Sequence, residues 1–85
     1  ERQTKTRLAK EVNEILRARK LKQMQTAAVL GIPQPKVSAL VRYRLDGFSV
    51  ERLMGFLTAL NQDVEIMIRP SRTNGEGHVS VLAVR

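Results

Sequence analysis

Polar side chains able to recognise a charged polymer are concentrated between positions 34 and 42 of this 85-residue chain. Gln34 carries an amide and Ser38 a hydroxyl, and both groups can donate and accept hydrogen bonds. Lys36 and Arg42 add positive charge. Amides can pair with base edges and cations can bind phosphates, so this segment has the groups that contact with a nucleic acid requires.

Small and apolar residues around these side chains have the spacing of a helix-turn-helix. Ala27 is small enough to let a second helix approach the first, and Gly31, four residues later, can adopt the positive φ of a tight turn. Four apolar residues are expected to close the wedge between the two helices: Leu30, Ile32, Val37 and Leu40. The opposite face of the second helix then carries the polar side chains and is available to a partner.

Apolar periodicity predicts four helices, over about residues 5–19, 23–30, 35–42 and 50–60. Thr4 or Thr6 is the expected N-cap of the first helix, whose charged outer face we interpret as solvated surface. Residues 23–42 form the helix-turn-helix. Ser49 is the expected N-cap of the last helix.

The composition favours a small binding module. A chain of 85 residues is long enough for one domain and leaves little room for an enclosed pocket. The net charge of +7 comes from residues 1–47, which contain eleven Lys or Arg against four Asp or Glu, whereas residues 48–85 contain four of each. Such an excess is compatible with binding to nucleic acid, binding to an acidic membrane surface, or simple solubility.

No arrangement of residues points to catalysis, to a cofactor or to a metal ion. The chain has no Cys and one histidine, His78, which we interpret as structural. The carboxylates show no paired spacing, and Gly75 and Gly77 fit a turn better than a phosphate-binding loop. No apolar run reaches the roughly 20 residues that span a membrane. We therefore expect a cytoplasmic protein that is not an enzyme and does not bind a membrane.

The last part of the chain alternates apolar and polar residues, which predicts β-structure. Residues 64–69 have the pattern of a half-buried strand stopped by Pro70, and residues 78–84 have the pattern of a second strand. A two-stranded hairpin alone is marginally stable in water. We therefore predict that residues 63–85 extend a helical domain of residues 1–62 and pair with a second copy. The residues expected at that contact are Val64, Ile66, Met67 and Ile68.

The same residues resemble the XRE family of bacterial regulators, which carry a phage-repressor-type helix-turn-helix. The resemblance lies in Gln23, Ala27, Gly31, Val37 and Leu40, in the stretch Gly47-Phe-Ser-Val-Glu-Arg-Leu-Met and in the segment Ala59-Leu-Asn-Gln-Asp-Val-Glu-Ile. It covers about residues 4–70. Within the family the chain is most similar to the short HigA-like branch, many of whose members are antitoxins of toxin–antitoxin pairs.

The resemblance implies a mostly α fold, a lambda-repressor-like bundle of four helices, to which the alternation adds a C-terminal β-hairpin or strand used in dimerisation. It also implies DNA contacts for seven residues: Gln23 to a phosphate, Gln34 to a base edge, Ser38 and Ala39 to bases, and Lys36, Arg42 and Arg44 to phosphates or guanine. Three residues depart from the family pattern. They are Lys22 at the N-cap of the second helix, Thr26 at an apolar position, and Pro33 at the start of the recognition helix.

Two functions are compatible with this resemblance. The first is a transcriptional regulator, expected to be a repressor, which binds a palindromic operator in double-stranded DNA as a homodimer through the major groove, in the cytoplasm at the nucleoid. The second is an antitoxin that neutralises a RelE/HigB-like toxin ribonuclease by protein contact and regulates its own operon.

Overall fold

The computed structural model describes residues 2–84 and contains four helices, the number that the periodicity predicts. In chain order they are α1 (Arg2–Ala18), α2 (Gln23–Leu30), α3 (Gln34–Val41) and α4 (Val50–Ala59). Helix α1 packs against α4 and α3, while α2 packs against α3 and α4, so the helices enclose one apolar core. The buried members of this core are Leu8, Ala9, Val12, Leu16, Leu30, Ile32, Val37, Leu40, Leu45, Phe48, Leu53, Phe56, Leu57 and Leu60.

Helix α1 begins before its predicted start at residue 5. Thr4, one of two expected N-caps, lies inside the helix and is buried. Thr4 precedes Leu8 and Val12 at the four-residue spacing of one helix face, so it continues the buried stripe toward the N-terminus. In α4 the expected cap is confirmed, because the Ser49 hydroxyl accepts a hydrogen bond of 3.0 Å from the N–H of Arg52.

All four helices end in the same backbone motif. Each is followed by a residue with positive φ: Lys20 (56°), Gly31 (68°), Tyr43 (60°) and Asn61 (67°). The N–H of the next residue then donates to the carbonyl five residues earlier, in the pairs Leu21–Leu16, Ile32–Ala27, Arg44–Ala39 and Gln62–Leu57. This is the Schellman arrangement, which satisfies carbonyl groups that a helix end leaves unpaired. The sequence indicates this arrangement at Gly31 and Asn61, because glycine and asparagine enter the left-handed region more readily than lysine or tyrosine.

The predicted C-terminal β-hairpin is wrong, because residues 2–84 contain no strand. Residues 63–84, here called the arm, are extended and carry bends at residues 72–75. Val64 and Val81 are half-buried and pack against the core. The other large apolar side chains of the arm are exposed: Ile66, Met67, Ile68, Val79, Leu82 and Val84.

The alternation in the arm failed as evidence for a hairpin for a physical reason. A period of two defines which face is apolar, but a strand forms only where a second backbone lies in register beside it. Residues 71–77 include Asn74-Gly75, a dipeptide favoured in two-residue hairpin turns, but neither residue adopts the positive φ that such a turn requires, so no register is set. They form local contacts instead, since the hydroxyls of Ser71 and Thr73 lie 3.2 Å apart.

Candidate nucleic-acid interface

The turn between α2 and α3 has the geometry that the glycine spacing predicts. Gly31 adopts φ 68° and ψ 37°, in the left-handed region where a side chain is strained. The N–H groups of Gly31 and Ile32 both donate to the carbonyl of Ala27, at 2.9 and 3.1 Å. These bonds fix the chain reversal, and the buried side chain of Ile32 anchors it in the core.

Two prolines define where α3 begins. Pro33 is its N-cap in an extended conformation, and its carbonyl accepts hydrogen bonds from the N–H groups of Lys36 and Val37. Pro35 occupies the first turn, where its missing N–H has no intrahelical partner to lose. The helix therefore includes Gln34, one residue earlier than predicted.

Helix α3 has one buried and one outer face. Val37 and Leu40 are almost completely buried and hold the helix against the rest of the domain. Gln34 is exposed at the start of the helix, and Ser38 is half-buried. Ala39 is also half-buried and packs against the core, so much of its small side chain is in contact with the protein interior.

Lys36 makes a specific contact within the protein. Its Nζ donates to the carbonyl oxygen of Gly47 at 3.2 Å and lies 5.1 Å from the centroid of the Phe48 ring. Both residues belong to the loop between α3 and α4. The ammonium group is thus directed toward this loop in the free chain, while the side chain as a whole remains exposed.

The turn after α3 presents two guanidinium groups. Arg42 and Arg44 are exposed on either side of Tyr43, whose side chain is 42% exposed. The turn is fixed by backbone bonds, because the N–H of Tyr43 donates to Leu40 at 3.1 Å and that of Arg44 to Ala39 at 2.9 Å. Two cations therefore project from a turn of defined backbone conformation at the C-terminal end of α3.

The N-terminus of α2 lies exposed and is capped in an unusual way. Lys22 is the N-cap, and its side chain, which has only donors, cannot accept from the first N–H groups of the helix. The Oε1 of Gln25 instead accepts from the Lys22 N–H at 2.9 Å. Gln23, the first residue of α2, is exposed beside these N–H groups, whose orientation favours an anion. Thr26 is buried at the position where the family pattern has an apolar residue.

Known proteins resemble this chain over nearly its whole length. Residues 1–69 match the family model described as a helix-turn-helix domain. A solved structure named as an XRE-family transcriptional regulator is 55% identical in sequence and superposes with a TM-score of 0.94, covering 99% of this chain and 96% of that chain. The chain belongs to the XRE family of helix-turn-helix regulators. No curated protein matches it.

As an XRE-family member, the chain is a DNA-binding regulator of transcription. The geometry described above is consistent with this function, because α3 offers an outer face with Gln34 at its N-terminal end and two arginines at its C-terminal end. Within residues 2–84 no helix is long and apolar enough to cross a membrane. The same residues contain no group of three or more His, Cys, Asp or Glu placed to hold a metal ion.

The similarity to the XRE-family structure includes the arm. The arm contributes about a quarter of the residues, so a superposition restricted to the helices could not reach a TM-score of 0.94 over 99% of the chain. Its course is therefore shared with a solved protein, although most of its apolar side chains have no cover from their own chain. Of the predicted dimerisation residues, Val64 lies against the core, while Ile66, Met67 and Ile68 are exposed.

Two polar side chains that hold the helices of this XRE-family domain together were not predicted from the sequence. Asn13 lies within α1, and Arg19 follows the last residue of that helix. Nδ2 of Asn13 donates to the carbonyl of Leu40 at 3.1 Å, and Nη2 of Arg19 donates to that of Leu60 at 2.6 Å. Asn13 could have been found, because it follows Ala9 by four residues and therefore lies on the buried face of α1. Nothing in the local sequence marks Arg19, since its contact joins residues 41 apart.

Proposed function

We propose that this regulator is a repressor that binds a palindromic operator as a homodimer, with α3 in the major groove. The observation that carries the proposal is the position of Gln34, exposed in the first turn of a short helix that Val37 and Leu40 bury along one face. A helix held in this way can enter the groove with its N-terminal residues toward the base edges. Two such helices about 34 Å apart would read two half-sites.

Gln34 is the proposed base-reading residue. Its amide can accept from N6 and donate to N7 of adenine, a pairing that distinguishes adenine from the other bases. Ser38 lies one turn further along α3 and supplies a hydroxyl toward the next bases. Ala39 packs against the core, so only the exposed part of its methyl group is available to a thymine. These contacts give sequence preference, and the surrounding cations give affinity.

The proposed phosphate contacts flank the recognition helix. Gln23 and the free N–H groups at the start of α2 face one stretch of backbone, and Arg42 and Arg44 face another. Lys36 would have to leave the Gly47 carbonyl to reach a phosphate. We therefore assign it first to the support of α3 and only secondarily to DNA.

The arm is the proposed source of the homodimer. Val64 joins it to the core, and the side chains of Ile66, Met67 and Ile68 follow at 74%, 79% and 90% exposure. Apolar side chains this exposed favour a partner surface, and a second copy is always present at the same concentration. Side-chain contact between the arms of two copies requires no strand pairing. A dimer occupying both half-sites would block other proteins from the promoter DNA.

An antitoxin function is the second candidate. Val79, Leu82 and Val84 remain exposed at the far end of the arm, beyond the residues assigned to the dimer. They offer an apolar surface on which a RelE/HigB-like toxin ribonuclease could be held inactive, while the helix-turn-helix regulates the operon. This function would place the chain in the HigA-like branch. Isolation of a stable complex with a ribonuclease encoded beside this gene would favour it over a solitary regulator.

Selection of bound sequences from a random pool of duplex DNA tests the main proposal. At a fixed salt concentration, the enriched sequences are expected to share two inverted half-sites whose centres are about 34 Å, one helical turn, apart. Sedimentation of the complex should give two chains per duplex. A Gln34→Ala variant selected in parallel should lose the preference at one position of each half-site. Absence of any enriched sequence for the unchanged chain would refute the proposal. The protein is expected to be cytoplasmic, to associate with the nucleoid and to lack enzymatic activity.

A further inference from the structure

Asn13 places a polar amide within the apolar contact between α1 and α3. The residue is 6% exposed, although its neighbours on this face of α1 are apolar. Its Nδ2 donates to the carbonyl of Leu40, 27 residues away, at 3.1 Å, and the Leu40 side chain is fully buried. The amide therefore connects the middle of α1 with the C-terminal end of the recognition helix.

The hydrogen bond to Leu40 satisfies only one end of this amide. Its Oδ1 is buried and accepts no hydrogen bond from the residues that the structure describes. A buried acceptor without a partner loses its hydration and gains nothing in exchange, whereas an apolar side chain of similar size would avoid this cost. An amide that carries such a cost is more simply explained by what its other end holds in place.

The carbonyl that accepts from Asn13 is part of the turn after α3. Leu40 O also accepts from the N–H of Tyr43 at 3.1 Å, and Tyr43 adopts φ 60°, which is unfavourable for a side chain of its size. Arg42 and Arg44 flank Tyr43 and carry the cations of this turn. A displacement of the Leu40 carbonyl would therefore change the direction of both arginines. Tyr43 and Asn13 also line one open groove on the surface between α1 and the turn.

We propose that Asn13 is a positioning residue for DNA binding, which fixes the C-terminal end of α3 and the turn from Arg42 to Arg44 against α1. The expected effect of Asn13 on DNA binding rests on the proposed function. Its expected effect on the turn concerns the free protein alone. Asn13 itself is buried and touches no DNA. It acts through the Leu40 carbonyl, by holding the two arginines at a fixed position relative to Gln34.

The test compares Asn13→Leu with the unchanged chain and with Thr26→Val as a matched control. Asn13→Leu removes the amide and leaves an apolar side chain of similar size. Thr26→Val also exchanges a buried polar group for an apolar one, in α2, and leaves the hydrogen bond between Asn13 and Leu40 in place. Amide hydrogen exchange is measured in the free proteins, and operator affinity is measured over a range of salt concentrations, at temperatures where all three are folded.

In Asn13→Leu, the Tyr43 N–H is expected to exchange about 10-fold faster, because its acceptor is no longer held. Operator affinity should fall about 10-fold. The slope of log affinity against log salt should fall by about 0.9 for each arginine that loses its phosphate. Thr26→Val should leave all three quantities unchanged. If Asn13→Leu does not fold, Asn13→Ala takes its place with the same expected results.

Unchanged exchange at Tyr43 would overturn the inference, whatever the variant does to stability. Unchanged affinity and salt slope in a variant whose Tyr43 exchange is accelerated would also overturn it, because the turn would then move without consequence for DNA. If the unchanged chain binds no DNA, the proposed function fails separately. Hydrogen exchange in the free protein then still decides whether Asn13 holds the turn.

Discussion

The Nζ atom of Lys36 lies 3.2 Å from the carbonyl oxygen of Gly47, eleven residues later in the chain. The same ammonium group is 5.1 Å from the centroid of the Phe48 ring, and Phe48 is buried against Phe56 in an edge arrangement. One side chain thus links the recognition helix to the loop that leads into α4. A residue to which the family resemblance assigns a DNA contact is therefore already in contact with its own chain.

Replacing Lys36 by methionine should weaken this link. Lys36→Met keeps most of the aliphatic stem but removes both the hydrogen bond and the cation–π contact, and the expected loss in the free energy of unfolding is about 0.5–1 kcal/mol. Urea denaturation measures the loss. Lys22→Met is the control, since the Lys22 side chain has no acceptor at its helix cap. Equal stability of the two variants would show that the contact to Gly47 contributes nothing.

Replacing Gln34 by alanine tests the base-reading residue. Because one bidentate pairing would be lost, Gln34→Ala should cost about 1–3 kcal/mol in binding to the operator and much less on a scrambled duplex. Competition titrations with operator variants at constant salt give the position at which preference disappears. Gln3→Ala, an exposed glutamine at the start of α1, is the control. The reading role is excluded if operator and scrambled DNA lose affinity equally.

Replacing Arg42 by alanine should change the salt dependence more than the sequence preference. If its guanidinium neutralises one phosphate, Arg42→Ala lowers the slope of log affinity against log salt by about 0.9 on every duplex. Fluorescence anisotropy at several salt concentrations measures the slope. Arg72→Ala removes an equal charge from the exposed arm and should leave the slope as it was. An undiminished slope in Arg42→Ala would remove this residue from the contacts.

The helix-turn-helix could be predicted because its determinants are local. Gly31 adopts the positive φ that the turn after α2 requires. Val37 and Leu40 lie on one helix face at a spacing fixed by helix geometry. Gln34 precedes Val37 by three residues and so lies near the same face, and its exposure comes from its place in the first turn of α3. Local patterns of this kind can be interpreted from the sequence because the backbone hydrogen bonds of a helix form within the helix itself.

The contacts that could not be predicted connect distant segments. Lys36 reaches Gly47 and Asn13 reaches Leu40, and in both pairs the acceptor is a backbone carbonyl, which every residue possesses. The prediction for the arm failed for a related reason, since the alternation identifies no backbone that would pair with it, and Ile68 is exposed. A sequence pattern indicates which side chains are apolar or polar on a given face. It does not indicate which distant residue each of them contacts.

The residues with positive φ at the helix ends allow a prediction that compares two lysine-to-glycine substitutions. Lys20 adopts φ 56° after α1, where glycine would be unstrained, so Lys20→Gly should raise the free energy of unfolding by about 0.5–1 kcal/mol. Lys10→Gly, at an exposed lysine inside α1, should lower it by about 1 kcal/mol. Thermal and urea denaturation measure both. Destabilisation by both glycines would contradict the strain assigned to Lys20.

A charge on the arm tests the proposed dimer without disturbing the helices. Ile68 is 90% exposed in the single chain, so Ile68→Asp should leave helix content and the bundle's stability unchanged. Burial of an unpaired carboxylate at a contact between two copies is strongly unfavourable, and the dimer should dissociate at least about 10-fold more readily. Analytical ultracentrifugation over a range of concentrations measures this. Ser80→Asp adds the same charge to the arm without removing an apolar side chain. Identical association of Ile68→Asp and the unchanged chain would exclude this part of the arm from the dimer, and the two recognition helices would then need another contact to reach both half-sites.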